Sequence, residues 1–338
     1  MPATKKKRVT IKDIAEMAGT SKTTVSFYLN GRTERMGEDT QARIARAIHD
    51  TGYEPSPLAR GMNAKRSKLI GVVIGDITNT FANQIVKGID VVASEQGYRM
   101  LVCSSNFDKQ NELAYIDRLL ALGVDGFIVQ PTANFKEISR SITDAGKQLV
   151  FIDSKLYDFQ SNWVKTDNYE ASYQAVEACV AKGYKRFLVL TAEPGLISSR
   201  IERFSGFVDA LEAHGIGFTQ FLLEGDRVDG ERLKAFLKAN IDGETPTLVF
   251  APNCWALPDI YVAMQDFYPL MPDRVGLVGF DNSEWAGVAS PSVSVVLQPA
   301  REEGQQAARI LFDLIDEKGE IDPHQVLDCH VQWGTTTT

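Results

Sequence analysis

The stretch Val9-Thr-Ile-Lys-Asp-Ile-Ala-Glu-Met-Ala-Gly-Thr-Ser-Lys-Thr-Thr-Val-Ser-Phe-Tyr-Leu-Asn30 is typical of two short helices joined by a tight turn. Gly19 suits the positive φ at the end of the first helix, and Ser21 suits the N-cap of the second. Apolar residues recur at helical spacing on both sides of this turn, at Ile11, Ile14, Ala15 and Ala18 and then at Val25, Tyr28 and Leu29. This layout predicts a helix-turn-helix, whose second helix enters the major groove, so double-stranded DNA is the expected partner.

A third helix is expected to follow, over roughly Glu38–Thr51, with Ile44, Ala45 and Ile48 facing inward. The segment Gly52-Tyr-Glu-Pro-Ser-Pro57 then breaks the helical pattern, because proline disfavours helical backbone at and before its own position. Residues 58–67 predict one short, weak helix within a linker.

The charge of the chain is divided unevenly between its two ends. Residues 1–66 contain 13 Lys and Arg against 7 Asp and Glu, a net charge of +6. The whole chain of 338 residues carries −8, so the remaining residues carry −14. A basic head on an acidic body fits phosphate binding at one end. The length indicates two or three domains.

Several classes of protein fit the sequence poorly. No apolar run approaches the roughly 18 residues that cross a membrane, and the basic N-terminus lacks the apolar core of a secretory signal. The four cysteines form no CxxC pair and suit a reducing, cytoplasmic setting, and the four histidines have no metal-ligand spacing. Phosphate-loop, dinucleotide and nucleophile-elbow motifs are also absent. We therefore expect no enzyme, no cofactor, no metal and no membrane association.

From Leu69 onward the pattern changes to apolar runs that alternate with helical segments. Leu69-Ile-Gly-Val-Val-Ile-Gly75 is a continuous apolar run of the kind that forms a strand buried on both faces. Repeated β-α alternation predicts an α/β body of two lobes, each a doubly wound parallel sheet, with a cleft between them. One of its expected helices covers Ala256–Asp266, and its expected strands are Leu69–Gly75, Arg99–Cys103, Gly126–Val129, Leu149–Ile152, Arg186–Leu190, Phe221–Leu223, Thr247–Phe250 and Val275–Val278. Ligands of such sheets bind at the carboxyl ends of the strands.

Specific motifs resemble the lactose-repressor (LacI/GalR) family of bacterial transcription regulators over essentially the whole chain. They are Thr10-Ile-Lys-Asp-Ile-Ala15, Ala18-Gly-Thr-Ser-Lys-Thr-Thr-Val-Ser26, Tyr53-Glu-Pro-Ser56, Val124-Asp-Gly126, Gly279-Phe-Asp-Asn282 and Gln298-Pro299. The resemblance implies a DNA-binding domain over residues 1–54, a hinge linker over 55–67 and a periplasmic-binding-protein-like body over 68–338. It implies an N-lobe of about 68–165 plus 295–325 and a C-lobe of about 166–294 plus 326–338. A solute-binding transport protein shares such a body, but the helix-turn-helix argues against that class.

The resemblance also implies which residues meet DNA. It places Lys22, Thr23 and Phe27 at base edges, where Phe27 makes an apolar contact unless it packs against the helix bundle instead. Near phosphates it places Thr10, Ser21, Thr24, Asn30 and Thr40, with simple surface exposure as the alternative for Thr24. In the linker, the resemblance places Ala59 and Met62 in contact with the operator. Met62 stands where relatives insert a leucine into the minor groove. Ser56 replaces the family's usual asparagine, and Gly61 should weaken the linker helix. Symmetric wedging implies a homodimer on a palindromic operator.

A second set of residues is implied to bind a small effector in the cleft. The family pattern gives Asp281 and Arg203, and Trp285 just past Asp281 could stack on a sugar. The position at the end of a strand adds Asp153, Asn79 and Phe81; for each of these residues an interlobe salt bridge or a loop cap is the alternative. Asn253 replaces an acidic residue of relatives, while Lys155 and Arg200 add positive charge beside the hydroxyl of Ser199. Fewer acids and more bases favour an anionic ligand. Residues 197–207 resemble members that respond to sugar acids such as ketogluconate, and a neutral sugar or a protein co-regulator remains the alternative.

Overall fold

The structure is a computed structural model. It describes residues 9–29, 31–34, 36–53, 66–157, 159–224, 227–280, 284–319 and 322–337. Contacts divide the chain between Lys68 and Leu69 into two units, which are described separately below.

The smaller unit contains three described helices, α1 (Ile11–Met17), α2 (Lys22–Leu29) and α3 (Glu38–Thr51). Thr10 caps α1, since its hydroxyl accepts from the Asp13 N–H while the Asp13 carboxylate accepts from the Thr10 N–H at 2.7 Å. Ile14, Val25 and Ile44, one from each helix, meet in a buried apolar cluster. This cluster holds the turn between α1 and α2.

One inward-facing residue of α3 was predicted wrongly. Ala45 is exposed, and Ala47 is buried in its place. Ala47 lies three positions after Ile44 and therefore shares its face of the helix, whereas Ala45 is rotated by about 100° from it. The α3 helix ends at Gly52, whose φ of 59° is the left-handed conformation that glycine adopts without strain.

The larger unit alternates strands and helices along most of its length. Its strands are β1 (Leu69–Ile74), β2 (Arg99–Ser104), β3 (Gly126–Val129), β4 (Gln148–Ile152), β5 (Asn162–Thr166), β6 (Arg186–Ala192), β7 (Phe218–Leu223), β8 (Thr247–Ala251), β9 (Val275–Phe280), β10 (Ser294–Leu297), β11 (His324–Leu327) and β12 (His330–Gln332). Its helices are α4 (Thr80–Glu95), α5 (Lys109–Ala121), α6 (Phe135–Asp144), α7 (Asn168–Ala181), α8 (Ser198–Glu212), α9 (Gly230–Asn240), α10 (Leu257–Ala263), α11 (Trp285–Val288) and α12 (Ala300–Ile315).

The strands form two six-stranded sheets, one in each lobe. The first sheet has the order β11-β5-β4-β3-β1-β2 and is parallel throughout. The second has the order β12-β10-β9-β8-β6-β7 and is parallel except for the edge strand β12. The central strands β8 and β9 are buried along their full length, as strands covered by helices on both faces should be. The expected bilobal architecture of two parallel-dominated sheets is confirmed.

Other local predictions need correction. The single helix expected over Ala256–Asp266 is α10 flanked by two 3-10 segments, Cys254–Ala256 and Gln265–Leu270, the second of which contains Pro269. The alternation pattern also missed the strands β5, β10, β11 and β12. These strands have three to five residues, and β11 alternates between exposed and half-buried positions, so they lack a long apolar run.

The chain crosses between the lobes after β5, after β10 and after β11. Since β10 pairs within the second sheet and β11 within the first, the second and third crossings lie near residues 298 and 328, a few residues later than the expected boundaries at 295 and 325. After the second crossing, α12 packs closely against α4 in the first lobe: a Cβ at Gly304 would lie 2.0 Å from the Ile85 carbonyl oxygen. In the described part of the chain, no helix combines the length and apolarity that a membrane span requires.

Candidate functional site

The second helix of the smaller unit presents the side chains predicted to read DNA. Lys22 and Thr23 are exposed at its start, and Phe27 is 45% exposed one turn later, although it is a large apolar residue. Phe27 therefore does not pack in the bundle, where Val25 takes the inward position. An exposed aromatic ring beside a lysine and a threonine can offer apolar and hydrogen-bonding contacts to base edges.

The hydroxyls predicted to lie near phosphates also cap or brace the helices. Ser21 Oγ accepts from the Thr24 N–H at 3.1 Å and lies 2.9 Å from Thr24 Oγ1. Thr40 Oγ1 accepts from Arg43 Nη2 at 3.2 Å. Thr10 caps α1 in the same way. The predictions for Asn30, Ala59 and Met62, and the departures at Ser56 and Gly61, lie outside the described residues.

A cleft lies between the two lobes of the larger unit, and we call it the interlobe cleft. Seven of the residues predicted to bind an effector line it: Asn79, Phe81, Asp153, Ser199, Arg200, Arg203 and Asn253. They come from loops at the carboxyl ends of strands and from the start of α4 and α8, since these ends meet at the facing edges of the two sheets.

Asp153 follows β4 and is 2% exposed. Its Oδ2 accepts from Gln130 Nε2 at 2.7 Å and from Ser199 Oγ at 3.1 Å, so residues from both lobes hold it. Its Oδ1 has no hydrogen-bond partner among the described residues and lies 3.9 Å from Arg203 Nη2. A buried carboxylate oxygen without a donor is suited to accept a hydrogen bond from a ligand hydroxyl.

Arg203 extends from α8 and is almost fully committed to the protein. Its Nε donates to Asn168 Oδ1 at 2.7 Å, its Nη1 to the Pro252 carbonyl at 2.8 Å and its Nη2 to Gln298 Oε1 at 3.1 Å. The guanidinium also stacks on Phe280, 4.3 Å from the ring centroid. Arg203 therefore ties the crossings at Asn168 and Gln298 together, and few of its donors remain for a ligand.

Arg200, one turn earlier on the same helix, is held much more loosely. Its Nη1 lies 3.5 Å from the Glu193 carbonyl oxygen, and its guanidinium lies over the ring of Phe107 at 5.3 Å. No carboxylate of a described residue lies within 4.0 Å of it. Burial lowers the pKa of Arg200, an effect that the nearby Asp153 charge opposes, and arginine nevertheless stays protonated. The cleft thus holds a cation without an ion-pair partner in the described structure.

Two amides add hydrogen-bonding groups to the cleft. Asn253 Oδ1 accepts from the Ala192 N–H at 2.8 Å, which fixes the amide and leaves its Nδ2 without an acceptor among the described residues. Asn79 caps α4 by accepting from the Phe81 N–H at 2.9 Å. Phe81 itself is buried in the core of the first lobe with only an edge at the cleft.

Lys155 and Trp285 were predicted to join this group, but neither lines the interlobe cleft itself. The Lys155 ammonium lies over Tyr157 and Trp163, at 5.2 and 5.5 Å, and lines a separate groove with Lys136. Trp285 lines a neighbouring pocket and packs edge-on against Tyr261. Adjacency in sequence to Asp153 or Asp281 did not determine where these long side chains point. Asp281 lies outside the described residues.

Sequence reasoning missed several residues of the cleft. Gln130 directly follows β3, and Phe107 lies in the loop after β2, so the rule that ligands bind at strand ends contained a signal for both. Trp255 lies two residues after Asn253. Glu303, buried behind Asp153, gave no such signal because it lies in the first turn of α12 and does not follow a strand directly.

The lobes touch one another around the cleft. Ser198 Oγ accepts from the Lys155 N–H at 2.9 Å, and the Ala133 N–H donates to the Leu196 carbonyl at 3.0 Å. A buried ion pair joins Lys165 of β5 to Glu202 of α8 at 2.8 Å. A molecule in the cleft would contact both lobes, so its binding free energy depends on how they are arranged.

Two family models match the chain. The model described as bacterial regulatory proteins, lacI family, matches residues 10–56, and the model of a periplasmic binding protein-like domain matches residues 176–337. Among curated relatives, the HTH-type transcriptional regulator KdgR of Bacillus subtilis is 32% identical over 314 residues, which cover 92% of each chain.

Solved structures confirm the fold. A Lacl family transcriptional regulator from Silicibacter pomeroyi superposes with a TM-score of 0.83 at 22% identity, covering 97% of this chain and 99% of that one. The lac repressor dimer bound to operator and the anti-inducer ONPF superposes with a TM-score of 0.77 at 22% identity, covering 98% and 99%. With the helix-turn-helix and bilobal body above, these matches show that the chain belongs to the lacI family and is a DNA-binding transcriptional regulator.

Proposed function

We propose that this regulator is a repressor of sugar-acid catabolism genes that binds a palindromic operator as a homodimer and releases it when a sugar acid enters the interlobe cleft. The site residues named above carry these two activities. The single observation that supports the effector class is Arg200, a partly buried cation in the cleft without a carboxylate partner among the described residues. A neutral sugar would leave that charge uncompensated, whereas a carboxylate compensates it.

The remaining polar groups suit the rest of such a molecule. Asp153 Oδ1 is placed to accept from a hydroxyl, and Asn253 Nδ2 is placed to donate to a carbonyl or hydroxyl oxygen. Arg203 adds positive charge near the carboxylate of such a ligand, but three of its N–H groups already donate hydrogen bonds within the protein. A molecule with one carboxylate and several hydroxyls satisfies this set of groups, and no metal or cofactor is needed for it.

The proposal for the DNA-binding half rests on α2 and on the family. Lys22, Thr23 and Phe27 face outward together, which supports their role at base edges. The lac repressor structure is described as a dimer bound to operator, and a dimer of this chain would present two α2 helices to the two halves of a palindrome. A regulator of this kind acts in the bacterial cytoplasm, where the DNA is.

A mobility shift on palindromic DNA, with and without 2-ketogluconate, tests the proposal. We expect the full chain to bind the duplex and to release it when the sugar acid is added. Calorimetry should then show that Arg200→Met weakens sugar-acid binding about 10- to 100-fold, since a hydrogen bond to a charged group contributes about 1.5–3 kcal/mol. Arg140→Met, at an exposed position of α6, is the matched control and should bind like the unmodified protein.

Three results would redirect the proposal. Binding of D-glucose but of no sugar acid would favour the neutral-sugar alternative. Equal affinity of Arg200→Met and the unmodified protein for the sugar acid would show that Arg200 does not bind the carboxylate. A duplex complex that ignores all of these molecules would point to a protein co-regulator.

A further inference from the structure

Glu303 lies in the first turn of α12 and is fully buried. Its Oε1 accepts a hydrogen bond from the backbone N–H of Asp153, across 150 residues of sequence, and the same N–H also donates to the Val164 carbonyl oxygen at 3.1 Å. Its Oε2 has no hydrogen-bond partner among the described residues. An ionised carboxylate is expensive to bury in this way unless a cation or several donors surround it.

The backbone that Glu303 holds is itself unusual. Asp153 has a φ of 61°, a left-handed conformation that is uncommon for residues other than glycine. This conformation turns the chain at the end of β4 and places the Asp153 carboxylate between Gln130 and Ser199. Its Oδ1 has no hydrogen bond among the described residues and lies 3.9 Å from Arg203 Nη2. A change in the backbone at Asp153 would therefore move the carboxylate out of the cleft.

The charged groups that act on Glu303 come from three elements. Asp153 lies at the end of β4, Arg203 on α8 and Lys165 on β5. Lys165 is paired with Glu202, and Arg203 makes its three hydrogen bonds elsewhere, so neither forms an ion pair with Glu303 within the described structure. Burial first, and the Asp153 charge second, raise the pKa of Glu303 well above its ordinary value.

We propose that Glu303 is a positioning residue: as a neutral carboxylic acid, it holds Asp153 in the left-handed conformation that keeps Oδ1 free for a ligand hydroxyl. The ligand part of this inference rests on the effector site proposed above. Close packing of α12 on α4 supports the role, since Gly304, the next residue, approaches the Ile85 carbonyl too closely for any side chain. This packing holds the backbone of Glu303 in place, so its side chain can hold the Asp153 N–H in place.

An experiment without ligand measures urea unfolding by tryptophan fluorescence at pH 5 and at pH 8. It compares the unfolding midpoints of the unmodified chain, Glu303→Gln and Glu302→Gln. A carboxyl group whose pKa is raised by folding stabilises fully below its unfolded pKa of about 4.3, and this contribution is lost as the pH rises through the folded pKa. The urea midpoint of Glu303→Gln, measured relative to that of the unmodified chain, should therefore be higher at pH 8 than at pH 5. Glu302 is exposed, so Glu302→Gln should show no such gain. Equal behaviour of Glu303→Gln and Glu302→Gln would overturn the neutral-acid assignment.

The positioning role is read from the Asp153 amide itself. Hydrogen exchange of peptides covering residues 150–157 should match the unmodified chain in Glu303→Gln, whose amide oxygen still accepts from the Asp153 N–H. Exchange should be faster in Glu303→Leu, where the Val164 carbonyl is the one acceptor left for that N–H among the described residues. Unchanged protection in a folded Glu303→Leu protein would overturn the role. With 2-ketogluconate and D-glucose as probes, Glu303→Gln should bind within about twofold of the unmodified chain, and Glu303→Leu at least tenfold more weakly. Failure of the unmodified chain to bind either probe would refute the proposed effector class, while hydrogen exchange would still decide the role of Glu303.

Discussion

Replacement of Lys165 by methionine should destabilise the larger unit strongly, because it removes one half of a buried ion pair between the lobes. Lys165 Nζ lies 2.8 Å from Glu202 Oε2, and the two side chains are only 10% and 12% exposed. Methionine fills a similar volume, so the packing of the stem is kept. The Glu202 carboxylate, however, remains behind without its cation.

The expected size follows from the burial of that carboxylate. Removal of one partner of a buried pair costs about 3–5 kcal/mol, and the residual exposure places this pair at the lower end, about 3 kcal/mol. With a urea dependence of about 3 kcal/mol per molar for a unit of this size, the unfolding midpoint should fall by about 1 M. The double variant Lys165→Met with Glu202→Leu should recover to within about 0.3 M of the unmodified chain, since it leaves no buried charge.

Tryptophan fluorescence during urea unfolding measures the effect in the correct unit. All four tryptophans, Trp163, Trp255, Trp285 and Trp333, belong to the larger unit. The matched control is Lys109→Met, which breaks a Lys–Glu pair of nearly the same length, 2.7 Å. Its two side chains are 42% and 75% exposed, so its midpoint should not move measurably.

The reasoning would be refuted if the Lys165 and Lys109 variants shifted the midpoint equally, because burial would then not decide the cost. It would also be refuted if the double variant were as unstable as the single one. That outcome would mean that the loss comes from the lysine stem and not from the unpaired carboxylate.

Two further predictions concern the cleft and the DNA-binding unit. Gly75→Ala places a Cβ 2.1 Å from the Phe107 ring and should displace this ring, which lies under the Arg200 guanidinium. We expect about tenfold weaker sugar-acid binding by calorimetry. Gly217→Ala, where a Cβ meets open space, is the control and should bind like the unmodified chain. In the smaller unit, Phe27→Ala should abolish the mobility shift with little change in thermal stability, whereas Val25→Ala should cost about 2 kcal/mol by circular dichroism; a strong stability loss in Phe27→Ala would contradict an outward-facing ring.

Local patterns in the sequence were sufficient for most of the fold. The bounds of α3 and β3 were predicted to the residue, because a capped amphipathic helix and a short apolar run each carry their own signal. The edge strands β11 and β12 were missed because they have only four and three residues and contain no long apolar run.

The same division applies to the candidate site. The sequence by itself determined a helix-turn-helix, a bilobal α/β body and the identity of most residues at the strand ends. Each of these follows from residue spacing and composition within a short segment of the chain. Only the tertiary structure decided that Lys155 lines a separate groove and that Glu303 accepts from the Asp153 N–H. It also decided that Arg203 donates three hydrogen bonds within the protein, whereas Arg200 makes one long contact with the Glu193 carbonyl. The physical reason is that side-chain direction, burial and hydrogen-bond saturation depend on atoms from other lobes and other strands, which no local pattern contains.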